Sequence, residues 1–204
     1  MGNMNNKKRS HGQNFRPIQI FHKKKLIIGS LFVFLAISFL LDNLAFEIVD
    51  SIKNPIIDYL LENTTHLSSI IFILIVITSL FLWSERKKKW IPVLWSSFVF
   101  TGLIGYIFKF GFARARPLAV YFIPLLGWID YSFPSMHTAI CFSLVPVLDK
   151  EFPKLKWVWI LFAIAVGFSR VYLKMHYLSD VIAGALLGMI IGYLFIKFEI
   201  NTVD

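Results

Sequence analysis

Six stretches of the chain are apolar and almost free of charge: Leu26–Leu41, Leu67–Trp83, Trp90–Phe108, Tyr131–Leu148, Trp157–Leu173 with Arg170 inside it, and Val181–Ile196. A helix that crosses a bilayer needs ~20 apolar residues, with ~17 the usual lower limit, so several runs must borrow flanking residues. Strands of a membrane barrel alternate apolar and polar positions, whereas Ile70–Ile77 is continuous. Hydrocarbon offers a bare backbone no hydrogen bonds, which makes each run a helix. The pattern predicts an all-α bundle of six transmembrane helices. Between the first two runs, Leu44, Ile48, Ile52, Ile56 and Leu60 recur every four residues with acids between them. This spacing predicts a short amphipathic helix on the membrane surface, interrupted near Pro55. The last run carries Gly184, Gly188 and Gly192, a spacing that lets helices approach closely within the bundle.

Composition sharpens the class. Of 204 residues, 57% are apolar and 16% charged, and the mean hydropathy is +0.67. So much apolar surface could not be hidden inside a water-soluble body of this size. A disordered chain, a coiled coil and a disulfide scaffold are excluded as well. The single cysteine, Cys141, lies in an apolar run and reads as a small buried filler.

The charges set an expected orientation. The tail 1–25 holds seven Lys and Arg, residues 86–89 hold four, and Lys150, Lys154, Lys156 and Lys197 complete fifteen on one face. The other face has six: Lys53, Lys109, Arg114, Arg116, Arg170 and Lys174. Basic loops stay inside, so both termini are expected in the cytoplasm. The expected organisation is a basic tail over 1–25 that touches anionic lipid, a bundle over 26–198 and a short tail over 199–204. The first run lacks a small-x-small cleavage site after it and reads as an uncleaved helix. Asn6 stands where a myristoylation signal needs Ser or Thr. The expected location is the plasma membrane, with no nucleic-acid partner and no obligate protein partner.

Three polar clusters lie at the outer ends of the last four runs, where topology does not require them. Polar groups at membrane depth are costly and point to function. Lys109 and Arg116-Pro117 close the third run, with Arg114 between them. They suit either snorkelling to headgroups or an anion site, since the guanidinium fork matches phosphate. Pro134-Ser135-Met136-His137 opens the fourth; a helix start aims N–H groups and a positive dipole end at an anion. Ser169-Arg170 and His176 to Asp180 follow. Four residues apart on a helix, Asp180 could orient the His176 ring; a merely structural His–Asp pair is the alternative. A zinc site fits less well, because Lys109, Arg116 and Arg170 would repel a cation. Cys141 has no role as a ligand.

Taken in order, Lys109-x6-Arg116-Pro117, Pro134-Ser135-x-His137 and Ser169-Arg170-x5-His176-x3-Asp180 resemble the three-part signature of the type-2 phosphatidic-acid phosphatase superfamily. That resemblance implies a six-helix lipid phosphatase in which His176 attacks phosphorus to give a phosphohistidine and Asp180 holds it. His137 protonates the leaving oxygen and later activates water. Lys109, Arg116, Ser135, Arg170 and the amide of Met136 hold the phosphate oxygens. Met136 departs from the family's usual Gly. A helix-start position tolerates it, and its side chain is expected to narrow the pocket or touch lipid. Arg114 matches no motif position and reads as a surface charge or a headgroup contact. The apolar stretch Leu118–Trp128, with Tyr121, Phe122 and Trp128, suits a lipid rim or simple loop packing.

Polyprenyl diphosphate, phosphatidylglycerophosphate and phosphatidic acid all present a terminal phosphate. Likeness to compact bacterial members favours undecaprenyl diphosphate or phosphatidylglycerophosphate, cleaved on the extracytoplasmic side. A lipid-to-lipid phosphotransferase, a lipid-phosphate binding or transport protein and a haloperoxidase are the rival readings. No cofactor and no metal are expected, because fixed cations supply the charge stabilisation. Phosphate release from a lipid panel by purified protein is therefore expected to persist in chelator. Loss of activity that zinc or magnesium restores would contradict this.

Overall fold

A computed structural model of the protein describes Ser30 and residues 32–64, 72–84, 87–117, 121–123 and 128–203. By compactness the chain forms two units, Met1–Phe34 and Leu35–Asp204. The first contributes only Ser30 and 32–34 to the described residues, all helical. The basic tail over 1–25 lies outside them.

Helix α1 (Phe32–Leu40) bends by 60° into α2 (Asp42–Ser51). Helix α3 (Pro55–Thr64) follows, with proline at its first position, where the missing N–H costs nothing. Ile52, Lys53 and Asn54 separate α2 from α3 near the expected interruption. Leu44, Ile48, Ile52, Ile56 and Leu60 are each about half exposed or more. The four-residue stripe therefore points away from the protein body. Val49 and Tyr172 instead join a small buried cluster. The N–H of Asn54 donates to the Tyr172 hydroxyl at 2.9 Å, and this fastens the break to the bundle.

A π-helical turn (Phe72–Ile77) leads into α4 (Thr78–Phe81). Next come α5 (Trp90–Phe112), a two-stranded antiparallel pair, and then α6 (Met136–Glu151), α7 (Lys156–Tyr172) and α8 (Leu178–Val203). Strands β1 (Tyr121–Ile123) and β2 (Trp128–Asp130) pair Phe122 with Ile129; the hydropathy pattern had no strand here. Helix α8 runs on to Val203, through residues expected to form a tail. Among the described residues three helices are long and apolar enough to cross a membrane: Trp90–Phe112, Pro153–Tyr172 and Leu178–Glu199. The bent pair α1–α2 makes a fourth if taken as one span. Helix α6 has 16 residues, ~24 Å at 1.5 Å per residue. It starts five residues later than its apolar run because Tyr131 to Ser135 are extended or turning.

Helix α6 is the axis of the bundle. Almost every residue from Thr138 to Leu148 is buried, enclosed by α5, α7 and α8. Its largest interface is with α8. A β-carbon on Gly184 would lie 2.5 Å from the Ser135 carbonyl oxygen. One on Gly188 would strike the Ala139 carbonyl, and one on Gly192 the Ser143 carbonyl. Three glycines four residues apart thus lie on three α6 carbonyls with the same spacing. The glycine row is an internal seam of one chain. On the other side, Ser97 of α5 donates to the Ser143 carbonyl at 3.1 Å. Farther from the motif residues, Leu82, Leu94, Leu144, Val147 and Ala163 fill an apolar core. Phe100, Leu103, Ile107, Leu161 and Ile190 remain exposed, as lipid-facing side chains should.

Backbone atoms have no rotamers with which to yield. Gly188→Ala is therefore expected to destabilise the fold by about 1–3 kcal/mol through overpacking, read as a lower melting temperature in detergent. Gly102→Ala, where a β-carbon meets nothing within 4 Å, is the control.

Candidate active site

The polar residues singled out in the sequence come from four elements. Helix α5 ends when Ala113 takes a left-handed conformation (φ 46°) and returns its N–H to the Lys109 carbonyl. That turn carries Arg114 and Arg116 off the helix end. Lys109 is 4% exposed and donates from Nζ to the Tyr131 carbonyl. Tyr131 to Ser135 then lead into α6. Ser135 is the extended residue before the helix (φ −70°, ψ 110°), and Met136 is its first helical residue. The Ala139 N–H is the first to return to Ser135, so the helix end offers the N–H groups before it outward.

Helix α7 ends in a turn with Lys174 left-handed (φ 52°). Here the carbonyl of Arg170 accepts the N–H groups of Met175 and His176, at 3.0 and 3.2 Å. Arg170 is buried, its Nε donating to Ser169 Oγ at 3.1 Å. The turn holds His176 outside either flanking span and buries it to 1% exposure. Helix α8 then sets Asp180 four residues on.

The His176 ring is gripped from two sides. Arg116 Nη1 lies 3.3 Å from Nε2 and also donates to the Met175 carbonyl at 2.8 Å. A guanidinium only donates, so Nε2 accepts and the proton of the neutral ring sits on Nδ1. Nδ1 faces Asp180 Oδ2 at 3.6 Å, just beyond hydrogen-bond length. Asp180 Oδ2 meanwhile receives the Tyr177 N–H at 2.9 Å. His137 at the α6 end is half-buried. It stands in the field of Arg170, His176, Arg116 and Lys109. The residues of the three clusters therefore gather at one end of the bundle, close enough for Arg170, His176, Arg116 and Lys109 all to act on the His137 ring.

The Ser135 hydroxyl, an expected phosphate contact, and the Met136 side chain both have neighbours within the protein. The Ser135 hydroxyl lies 3.0 Å from Thr138 Oγ1 inside α6, and the Ser135 N–H donates to the Asp180 carbonyl at 3.0 Å. The sulfur of Met136 lies directly over Gly105 of α5. Its half-buried side chain thus occupies a gap between α5 and α6. The physical reason is that Gly105 leaves the space that Met136 occupies. Arg114 departs from its expected place. It is no surface charge, because it pairs with both Asp42 and Asp180 at 2.7 Å. The sequence missed Asp42 altogether, although an acid directly after an apolar run was a signal that could have raised it. Of the stretch Leu118–Trp128, the structure describes the backbone at 121–123 and 128, and the expected lipid rim lies outside the described side chains. Among the described residues, no three of His, Cys, Asp and Glu gather as a metal site.

The model of the PAP2 superfamily matches residues 93–203, and the chain belongs to that superfamily. An undecaprenyl-diphosphatase of Sulfolobus acidocaldarius is 36% identical over 135 residues, 63% of this chain and 64% of that one. The chain thus spans just under two thirds of that relative's length. Phosphatidylglycerophosphatase B of Bacillus subtilis is 33% identical over 161 residues, 72% of this chain and 78% of the other. The crystal structure of a transmembrane PAP2 type phosphatidylglycerolphosphate phosphatase from Bacillus subtilis is 28% identical, with a TM-score of 0.67. The match covers 84% of this chain and 95% of that one.

Burial lowers the pKa of His176 from 6.5 to about 4; the nearby Asp180 carboxylate opposes the shift, while Arg116 and Lys109 add to it. The folded ring therefore stays neutral where the unfolded ring takes up a proton. By linkage, stability is lost as pH falls from about 6.5 to about 4 and levels off below. Melts across this range are expected to show a steeper decline for the wild type than for His176→Gln.

Proposed function

We propose that the protein is a metal-independent membrane lipid phosphatase. It removes the terminal phosphate of a lipid phosphate or diphosphate, of the undecaprenyl diphosphate or phosphatidylglycerophosphate class, through a phosphohistidine at His176. The observation that carries this reading is the grip on His176. Nε2 bears a lone pair beside Arg116, and Nδ1 faces Asp180.

In this scheme Lys109, Arg116 and Arg170 hold the phosphate oxygens with the N–H of Met136; Ser135 joins them if its hydroxyl turns from Thr138. The Nε2 lone pair forms a bond to phosphorus as the phosphorus–oxygen bond to the lipid breaks. His137 gives its proton to the departing oxygen. It then takes one from a water, whose oxygen attacks phosphorus as the nitrogen–phosphorus bond breaks. Asp180 accepts the Nδ1 hydrogen bond throughout and offsets the positive ring of the intermediate. Positioning and fixed charge supply the rate.

The chain crosses the plasma membrane six times with both termini in the cytoplasm, and the site opens on the extracytoplasmic side. The six apolar runs and the fifteen-to-six charge asymmetry support this. So do the exposed apolar stripe of α2 and α3 and the apolar exterior of α5, α7 and α8.

The test is phosphate release from undecaprenyl diphosphate, phosphatidylglycerophosphate and phosphatidic acid by purified protein. His176→Ala is expected to lower release by at least ~10⁴-fold, as removal of a nucleophile does. Persistent release by that variant overturns the assignment. Labelled phosphate that appears on a second lipid instead of in water identifies a phosphotransferase.

A further inference from the structure

Arg114 stands two residues before Arg116 but serves a different task. Its Nη1 donates to Asp180 Oδ1 and to Ser179 Oγ, both at 2.7 Å, and its Nη2 donates to Asp42 Oδ2 at 2.7 Å. Asp42 binds the same turn of α8 directly. Its Oδ1 accepts the Ser179 N–H at 2.8 Å, and its Oδ2 accepts the Ser179 hydroxyl at 2.7 Å. The guanidinium lies over the Tyr177 ring at 3.8 Å and near Phe39 at 5.0 Å. Asp42 and Asp180 are both buried.

Two buried carboxylates thus share one guanidinium. Without it both would be uncompensated charges in a poorly hydrated place. The geometry also fixes direction. Arg114 holds Oδ1 of Asp180 and the Tyr177 N–H holds Oδ2, so the carboxylate has no free rotation. Oδ2 is the oxygen that faces His176 Nδ1. The charged groups around this carboxylate are Arg114 from the α5 exit, Asp42 from α2 and His176 from the turn before α8; Arg116 and Lys109 act on the His176 ring.

We infer that Arg114 and Asp42 are positioning residues for the reaction. They keep Asp180 ionised and aimed, so that the proton of His176 stays on Nδ1 and the lone pair on Nε2. This rests on the phosphohistidine reading and adds to it a buried relay from α2 to the nucleophile. A lysine at 114 would keep the charge but has no fork to reach both acids.

The experiment measures kcat, KM and the pH profile of phosphate release from undecaprenyl diphosphate and phosphatidylglycerophosphate in detergent. It compares wild type, Arg114→Ala, Arg114→Lys, Asp42→Asn, the Arg114→Ala/Asp42→Asn pair and His176→Ala. Loss of an orienting partner typically costs 10- to 100-fold, so Arg114→Ala is expected to lower kcat by roughly that factor with little change in KM. The acidic limb of its profile moves to higher pH, because two adjacent carboxylates without their cation retain a proton. Arg114→Lys, which keeps the buried charge balanced if the alanine variant does not fold, falls between the two. The double variant is no worse than Arg114→Ala, since both act through one carboxylate. Wild-type kcat in Arg114→Ala or Arg114→Lys, a loss confined to KM, or a lower kcat with an unmoved acidic limb overturns the inference. An inactive His176→Ala beside such a result leaves the phosphatase reading standing, whereas an active His176→Ala removes that reading itself.

Discussion

The site depends first on how closely α8 lies on α6. Gly184, Gly188 and Gly192 sit against the carbonyls of Ser135, Ala139 and Ser143. This contact has little lateral tolerance, since backbone meets backbone along three turns. It brings the start of α8 beside the start of α6, where the Ser135 N–H closes on the Asp180 carbonyl. Two motifs more than thirty residues apart in the chain become one surface through that seam. The glycine row and the motifs are parts of one arrangement, and the first sets the precision of the second.

Lys109 and Arg170 are buried, Arg116 is half-buried, and each has partners within the protein. Lys109 finds the Tyr131 carbonyl, Arg116 the Met175 carbonyl and Arg170 the Ser169 hydroxyl. These groups hold the side chains in place. Arg114, by contrast, is matched by two carboxylates. Through them it ties α2, the α5 exit and the first turn of α8 together.

Much of this was legible in the sequence, for identifiable reasons. Apolar runs without alternation gave the long helices, because burial in lipid demands internal hydrogen bonding. The four-residue stripe of Leu44 to Leu60 gave α2 and α3, and Pro55 gave their break. The spacing of His176 and Asp180 predicted that they meet, and they do at 3.6 Å, although His176 lies in the turn before α8 and not on a shared helix face. What was not legible depends on contacts between distant segments. Asp42 gains its meaning only when α2 packs against the first turn of α8. Met136 gains its own only when Gly105 proves to face it. The strand pair at Tyr121–Ile123 and Trp128–Asp130 is made of short apolar pieces that have no period long enough to read.

The contact between Met136 and Gly105 has a consequence for how such chains can drift. The thioether fills the volume that the absent side chain at 105 leaves. A side chain at 105 therefore obliges the flexible Met136 thioether to swing aside, so the two positions are packed as a pair. A relative with glycine at the place of Met136 has room for a bulkier neighbour on the facing helix, and the two sites should change as a coupled pair in ancestry.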